Sequence, residues 1–177
     1  MTSMKKLILM LIAAVCMLNI CGCKEHVYGN EEERYYTLDF VFVNDDGESL
    51  VNELPVIAGD DMGYISHGVY NMTVNIGNET FVAPKDKLLR KVKSGNDYQL
   101  RWTFVSCGER FFDTVKMTLS CKRIFGNDDI HTIVTDWCEP SYMWLPECKK
   151  VIFDGKEYPV IYNPDTYTNV VTIQIDN

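Results

Sequence analysis

The chain reads as an all-β protein, an antiparallel β-sandwich of about eight to nine short strands with at most one short helix. Three observations predict this. Apolar and polar residues alternate with period two in several separate stretches, the signature of half-buried strands. Clusters of Asn, Asp and Gly recur as turn signals roughly every 8–12 residues. The alternating apolar positions are rich in Tyr, Phe, Trp and β-branched residues, which suit a pleated surface packed on a second sheet.

Residues 35–43 set Tyr36, Leu38, Phe40 and Phe42 on one face and Thr37 and Asp39 on the other, and Asn44-Asp45-Asp46-Gly47 then turns the chain. Residues 50–57 make a second short strand broken at Pro55, and the glycine-bearing stretch 58–68 is a loop. Residues 69–76 place Tyr70, Met72, Val74 and Ile76 together; Gly77-Asn78 is a two-residue turn, and residues 79–83 return as a hairpin. The helical candidate is 84–93, with Pro84 in its first turn and Leu88, Leu89 and Val92 on one face.

The strongest strands are 98–106 and 111–123. The first has Tyr98, Leu100, Trp102 and Phe104 against Gln99, Arg101 and Thr103; residues 107–110 join the two strands as a hairpin. On that pairing Cys107 and Cys121 lie roughly 30 Å apart at about 3.3 Å per residue, too far for a disulfide. Residues 130–137 form another strand and 138–147 a proline-bearing loop. Residues 149–153 and 156–162 flank the Asp154-Gly155 turn as a last hairpin, with Pro159 favouring a sheet edge for the return strand. Residues 170–175 close the domain, with Val171, Ile173 and Ile175 inward.

The first 23 residues have a different character. Lys5 and Lys6 precede an apolar run, 7–18, far shorter than the about 20 residues a spanning helix needs. Ile20-Cys21-Gly22-Cys23 follows: an aliphatic residue, two small residues and a cysteine. This layout is that of a secretory signal peptide, and its ending resembles a bacterial lipobox. The resemblance implies removal of 1–22 as a lipoprotein signal peptide and lipidation of Cys23. Lys24-Glu25 resembles the start of surface-exported Bacteroidota lipoproteins, with His26 departing from the further acid such signals carry. The segment 23–34 is polar and reads as a flexible spacer, leaving 35–177 as the sandwich domain. Its opening of strand, Asp-Gly turn and leucine resembles immunoglobulin-like and transthyretin-like modules of surface lipoproteins.

The formal net charge of −8 becomes more negative once the leader's two lysines go. An acidic domain gains nothing from a phosphate backbone, which argues against nucleic acid as a partner. Four cysteines remain beyond Cys23, and an oxidising compartment permits disulfides. Cys138–Cys148 is the easiest to close, across the proline-bearing loop; buried free thiols are the alternative.

No nucleophile elbow, zincin helix, P-loop or dinucleotide fingerprint is present in the sequence, and the histidines, His26, His67 and His131, are scattered. The expectation is therefore no catalytic residues, no cofactor and no dedicated metal site, with acidic turns such as 44–48 and 127–129 serving the backbone rather than calcium. Trp137, Tyr142 and Trp144 cluster around one loop, where they either stack on a sugar ring or plug the end of the sandwich. The reading is an outer-membrane envelope lipoprotein, held by its lipid and displayed on the periplasmic or outer face. It serves as a non-catalytic binding or scaffolding module for a glycan or another envelope protein. A glycan-active hydrolase is the alternative.

Overall fold

Eleven strands and one helical turn build the domain, in a computed structural model that describes residues 33–59, 62–83, 88–106, 111–139, 145–164 and 166–176. These residues belong to one unit, Glu32–Asn177; a second, Met1–Glu31, lies outside them, so the expected leader and Cys23 do too. The strands are β1 (Arg34–Val43), β2 (Asn71–Ile76), β3 (Glu79–Val82), β4 (Leu89–Ser94), β5 (Asp97–Ser106), β6 (Thr114–Ser120), β7 (His131–Cys138), β8 (Glu147–Phe153), β9 (Lys156–Tyr158), β10 (Val160–Asn163) and β11 (Thr168–Gln174), with α1 (Lys122–Phe125) between β6 and β7.

They form two sheets, a five-stranded one ordered β10-β11-β1-β5-β4 and a six-stranded one ordered β3-β2-β6-β7-β8-β9. The fold is the expected all-β sandwich. Its inner faces supply one core: Tyr36, Leu38, Phe40 and Phe42 of β1 and Leu100 and Trp102 of β5 face Met72, Val74, Met117, Leu119, Ile133 and Val151. β1 and β11 run parallel; the other strand pairs are antiparallel.

Two turns show why their residues were legible. Asp154 (φ 47°) and Gly155 (φ 81°) both adopt positive φ between β8 and β9, as a two-residue hairpin turn of the primed type demands. Gly77 (φ 58°) opens the β2–β3 turn, and a Cβ there would stand 3.0 Å from the Phe112 ring.

Several expectations are corrected. The strands expected at 98–106 and 111–123 do not pair with each other: β5 lies between β1 and β4, while β6 lies between β2 and β7. Both carry an apolar inner face, and stacking them in opposite layers buries each against the other sheet. The Tyr36 hydroxyl helps fix this crossing by accepting the Phe112 backbone N–H at 2.8 Å. The helical candidate is instead a strand over its described part, β4, paired along its length with β5. Lys91 supplies part of the reason: its ammonium donates to the carbonyls of Asn52 (2.5 Å) and Leu54 (3.0 Å), tying the loop over the sheet edge.

The strand expected at 50–57 is a series of turns with one bridge, Val56 to Ile65. Pro159 does not merely mark an edge. It divides the expected return strand, so that β9 stays with β8 while β10 joins β11 in the opposite sheet. β1 begins at Arg34, within the expected spacer; that residue is buried and its guanidinium donates to Glu139 at 3.2 Å.

A single buried amide stitches the sheets together. Asn169 of β11 accepts the Cys148 backbone N–H at 2.9 Å and donates to the carbonyls of Thr37 (3.0 Å) and Pro146 (3.3 Å). These partners lie on both sheets or at their margin, and Asn169 is 1% exposed. Asn169→Ala should therefore cost about 3 kcal/mol, because it strands buried backbone groups. The check is a lowered urea midpoint with an unchanged slope; the exposed Gln174→Ala serves as a control within about 0.5 kcal/mol of wild type.

Candidate functional site

Trp137 is not a surface platform. It sits on the core face of β7, 5% exposed, with its ring edge-on to Tyr36 at 5.2 Å. A buried indole N–H needs an acceptor. Thr135, two residues earlier on the same face, provides it at 2.8 Å and passes its own hydroxyl hydrogen to the Val115 carbonyl at 3.3 Å. Of the two readings of this aromatic cluster, Trp137 follows the one in which the ring fills the core. Tyr142 and Trp144 lie outside the described residues.

Cys138 and Cys148 are free thiols, against the expected disulfide. In the β7–β8 ladder Trp137 stands opposite Cys148, and Cys138 stands opposite Glu147. Residues opposite one another share a face, so Cys148 points into the core with Trp137 while Cys138 turns outward. Side chains leaving opposite faces cannot reach bonding geometry. Burial pushes the Cys148 thiol up to about 12, leaving it protonated and unreactive at neutral pH.

A recess of mixed chemistry lies on the outer face of the five-stranded sheet. A groove of about 620 Å³ runs between Lys93 and Gly95 at the β4–β5 turn and Ile161, Tyr162 and Asn163 of β10, over Gln99, Arg101 and Val170. The register explains the floor. Ile161 pairs with Val170, Val170 with Asp39, Asp39 with Arg101, and Arg101 with Arg90, so these residues form one row on the outer face. Asp39 is fully buried beneath its neighbours. Its carboxylate accepts Arg101 Nε at 2.7 Å, Arg101 Nη2 at 2.8 Å and Gln99 Nε2 at 2.7 Å. The hydrogen bond to Asp39 raises the Arg101 guanidinium further above its ordinary value, against the opposing effect of burial.

A second recess of about 690 Å³ is lined by Asn44, Glu48, Asn52, Glu53, Asp97 and Arg123, among others. Two of its acids are engaged locally: Glu48 accepts from the Asn44 amide at 3.1 Å and Asp97 from the Asn52 amide at 3.0 Å. Among the described residues no group of three or more His, Cys, Asp or Glu side chains is placed to hold a metal ion.

The third polar cluster is His131 with Asp154. Their side chains meet at 2.6 Å, and Asp154 also accepts the Thr132 backbone N–H at 2.6 Å. The His131 ring is stacked on Phe153 and lies 3.9 Å from Phe125, and its Nε2 is buried among apolar atoms. The nitrogen that would take a substrate's proton thus faces the core, so the pair serves as a cap on the β8–β9 turn. Burial pushes the Asp154 carboxyl up, but the Thr132 N–H and the His131 ring outweigh it and hold it below 3.8.

No protein-family model matches the chain, and neither a curated protein nor a solved structure is significantly similar to it. The groove's chemistry stands on the residues alone. Sequence reading placed Asp39, Gln99 and Arg101 on outward faces but did not join them. The available signal was one acid on the polar face of one strand and one arginine on the polar face of another; their pairing needs the register.

Two outcomes follow. Arg101→Met should destabilise the fold by about 3–5 kcal/mol, because it leaves a buried carboxylate without its counter-charge. Adding Asp39→Leu should restore much of that loss in chemical denaturation, and simple additivity of the two losses would deny the coupling. For Asp154, a folded value below the unfolded one stabilises the protein above about pH 4 and loses that contribution as pH falls through the folded value. Asp154→Asn, which tolerates the positive φ, should flatten the stability profile there in melts between about pH 3 and 7.

Proposed function

We propose that the chain is a lipid-anchored protein of the bacterial cell envelope whose sandwich binds a glycan or an envelope partner without chemically altering it. The address rests on the leader and on Ile20-Cys21-Gly22-Cys23. The binding reading rests on one observation: a groove on an open sheet face whose floor donors, Arg101 and Gln99, are already fixed by buried Asp39. Such a floor presents hydrogen-bond donors in a set direction, which favours recognition. The orientation of His131 towards the core supports a structural role for the domain's His–Asp pair.

In the outer membrane the lipid would hold an acidic domain that an anionic surface repels. Cys23→Ala should move the protein from the membrane pellet to the soluble fraction, as read by fractionation and immunoblotting. Retention in the pellet would overturn the tether. Oligosaccharides incubated with the full chain should be recovered intact, whereas newly formed reducing ends would favour a glycan-active hydrolase.

A further inference from the structure

We infer that the outer face of the five-stranded sheet pairs two copies of this chain about a two-fold axis; this rests on the partner-binding form of the proposed function and names the partner as a second copy. The outward positions follow from the register. Val170, Asp39, Arg101 and Arg90 share one row. Two residues along each strand towards the β4–β5 turn, Thr172 with Val41 and Gln99 with Val92 make the next row. Gln174 with Val43 and Asp97 with Ser94 make the third. The outward side of a sandwich sheet is ordinarily polar. The six-stranded sheet follows that rule with Asn75, Lys116, Thr118, Asp136 and Lys150. The five-stranded sheet instead turns Val41, Val43, Val92, Val105, Val170 and Ile161 outward. The charged side chains at its outward positions are two acids, Asp39 and Asp97, and two arginines, Arg90 and Arg101, which leaves the face neutral in a chain whose formal net charge is −8. Depletion of charge is what marks the centre of a protein interface. Covering this face also costs little polar desolvation. Asp39 and Gln99 are already buried and bonded to one another, and the Thr103 hydroxyl oxygen is already closed to solvent.

The sheet edges offer no such route. The outer edge of β4 is occupied where Lys91 N–H donates to the Gly63 carbonyl at 2.8 Å and Ile65 N–H to the Leu89 carbonyl at 3.2 Å. β10 is short and lies between Pro159 and Pro164. Charge then fixes how the two faces meet. An in-plane two-fold axis along the middle row reverses the strands of the second copy and lays its third row over the first row of this one. Arg101 thereby faces Asp97 of the second copy, and symmetry forms the same pair again. Arg101 gives Nε and Nη2 to Asp39 and keeps Nη1 for this contact. Asp97, which also lines the second recess, gives one oxygen to the Asn52 amide and keeps the other. Val41, Val92 and Thr172 meet their own counterparts across the axis. At about 3.3 Å per residue and about 4.8 Å between strands, the five strands offer roughly 600 Å² on each copy. Two copies bury about 1,200 Å², the lower limit for a specific interface, so the dimer is weak, with a Kd on the order of 10 μM.

The experiment sediments the full chain to equilibrium in a density-matched detergent, from about 1 to 300 μM so as to bracket that Kd. A monomer–dimer equilibrium is expected within the range. Thr172→Lys should weaken it at least about tenfold, because it sets two ammonium groups against each other on the axis. Asp97→Asn should weaken it about tenfold, because it removes the charge opposite Arg101 while keeping an oxygen for Asn52. Thr80→Lys, outward on the other sheet, should leave it unchanged. Thr172 and Thr80 are exposed, so both lysine variants should keep the wild-type melting temperature. Thr172→Cys treated with a short bis-maleimide should yield a covalent dimer that Thr80→Cys does not. A dimer indifferent to Thr172→Lys and Asp97→Asn would overturn this face as the interface. A chain monomeric throughout would overturn the inference, and glycan-array binding by that monomer would leave the proposed binding function standing. Newly formed reducing ends from a dimer that responds to the variants as expected would instead overturn the non-catalytic reading and leave the interface intact.

Discussion

The architecture depends on β1 lying between the last strand and the middle of the chain. It pairs in parallel with β11 and antiparallel with β5. Parallel neighbours require a connection that carries the chain back to its starting end. Here that connection is nearly the whole domain, including the entire six-stranded sheet. The five-stranded sheet therefore cannot close until β11 arrives, and the inner face of β1 stays incompletely covered until then. Such long-range pairing makes folding slow and the final state cooperative. It also explains why Asn169 sits on β11: the strand that closes one sheet carries the amide that fastens it to the other.

The two faces of β1 solve different problems. Inward, Tyr36, Leu38, Phe40 and Phe42 are all fully buried, and their rings pack against Trp137, Phe125 and Phe153. Outward, Asp39 is just as buried but is charged, and it is tolerable only because three donors converge on it. A strand that carries both cannot slip by one residue. Slippage would send Asp39 into the aromatic core and expose the rings. The ion pair is thus more informative about register than about net stability.

Much of this fold was legible along the chain because local chemistry decided it. Alternation located β1, β2, β5, β6 and β11 to within a few residues, and Asp154-Gly155 and Gly77-Asn78 named their own turns. What alternation does not carry is the identity of the neighbour. Sequence adjacency suggested a β5–β6 hairpin, yet the same pattern serves two strands facing across a sandwich. The stretch with Leu88, Leu89 and Val92 suited a helix, and the free edge of β5 made it a strand, an override of local preference by tertiary pairing. Cys138 and Cys148 were close in sequence, but facing, which the bulge-bearing ladder sets, decides bonding.

The candidate site follows the same logic. Trp137, a conspicuous aromatic in the sequence, was absorbed by the core once Thr135 gave its indole N–H a partner. The groove is lined by Gln99, Arg101, Ile161, Asn163 and Val170 among others, none of which forms a motif along the chain. They converge because β4, β5, β1, β11 and β10 are neighbours across the sheet, and that order interleaves the beginning, middle and end of the domain. Asp39 then gives the convergence its chemical value. By holding Arg101 and Gln99 during folding, it removes part of the side-chain ordering that a ligand would otherwise impose on binding. A buried carboxylate that accepts three hydrogen bonds from two groove-lining side chains links the stability of the sheet to the direction of its recognition.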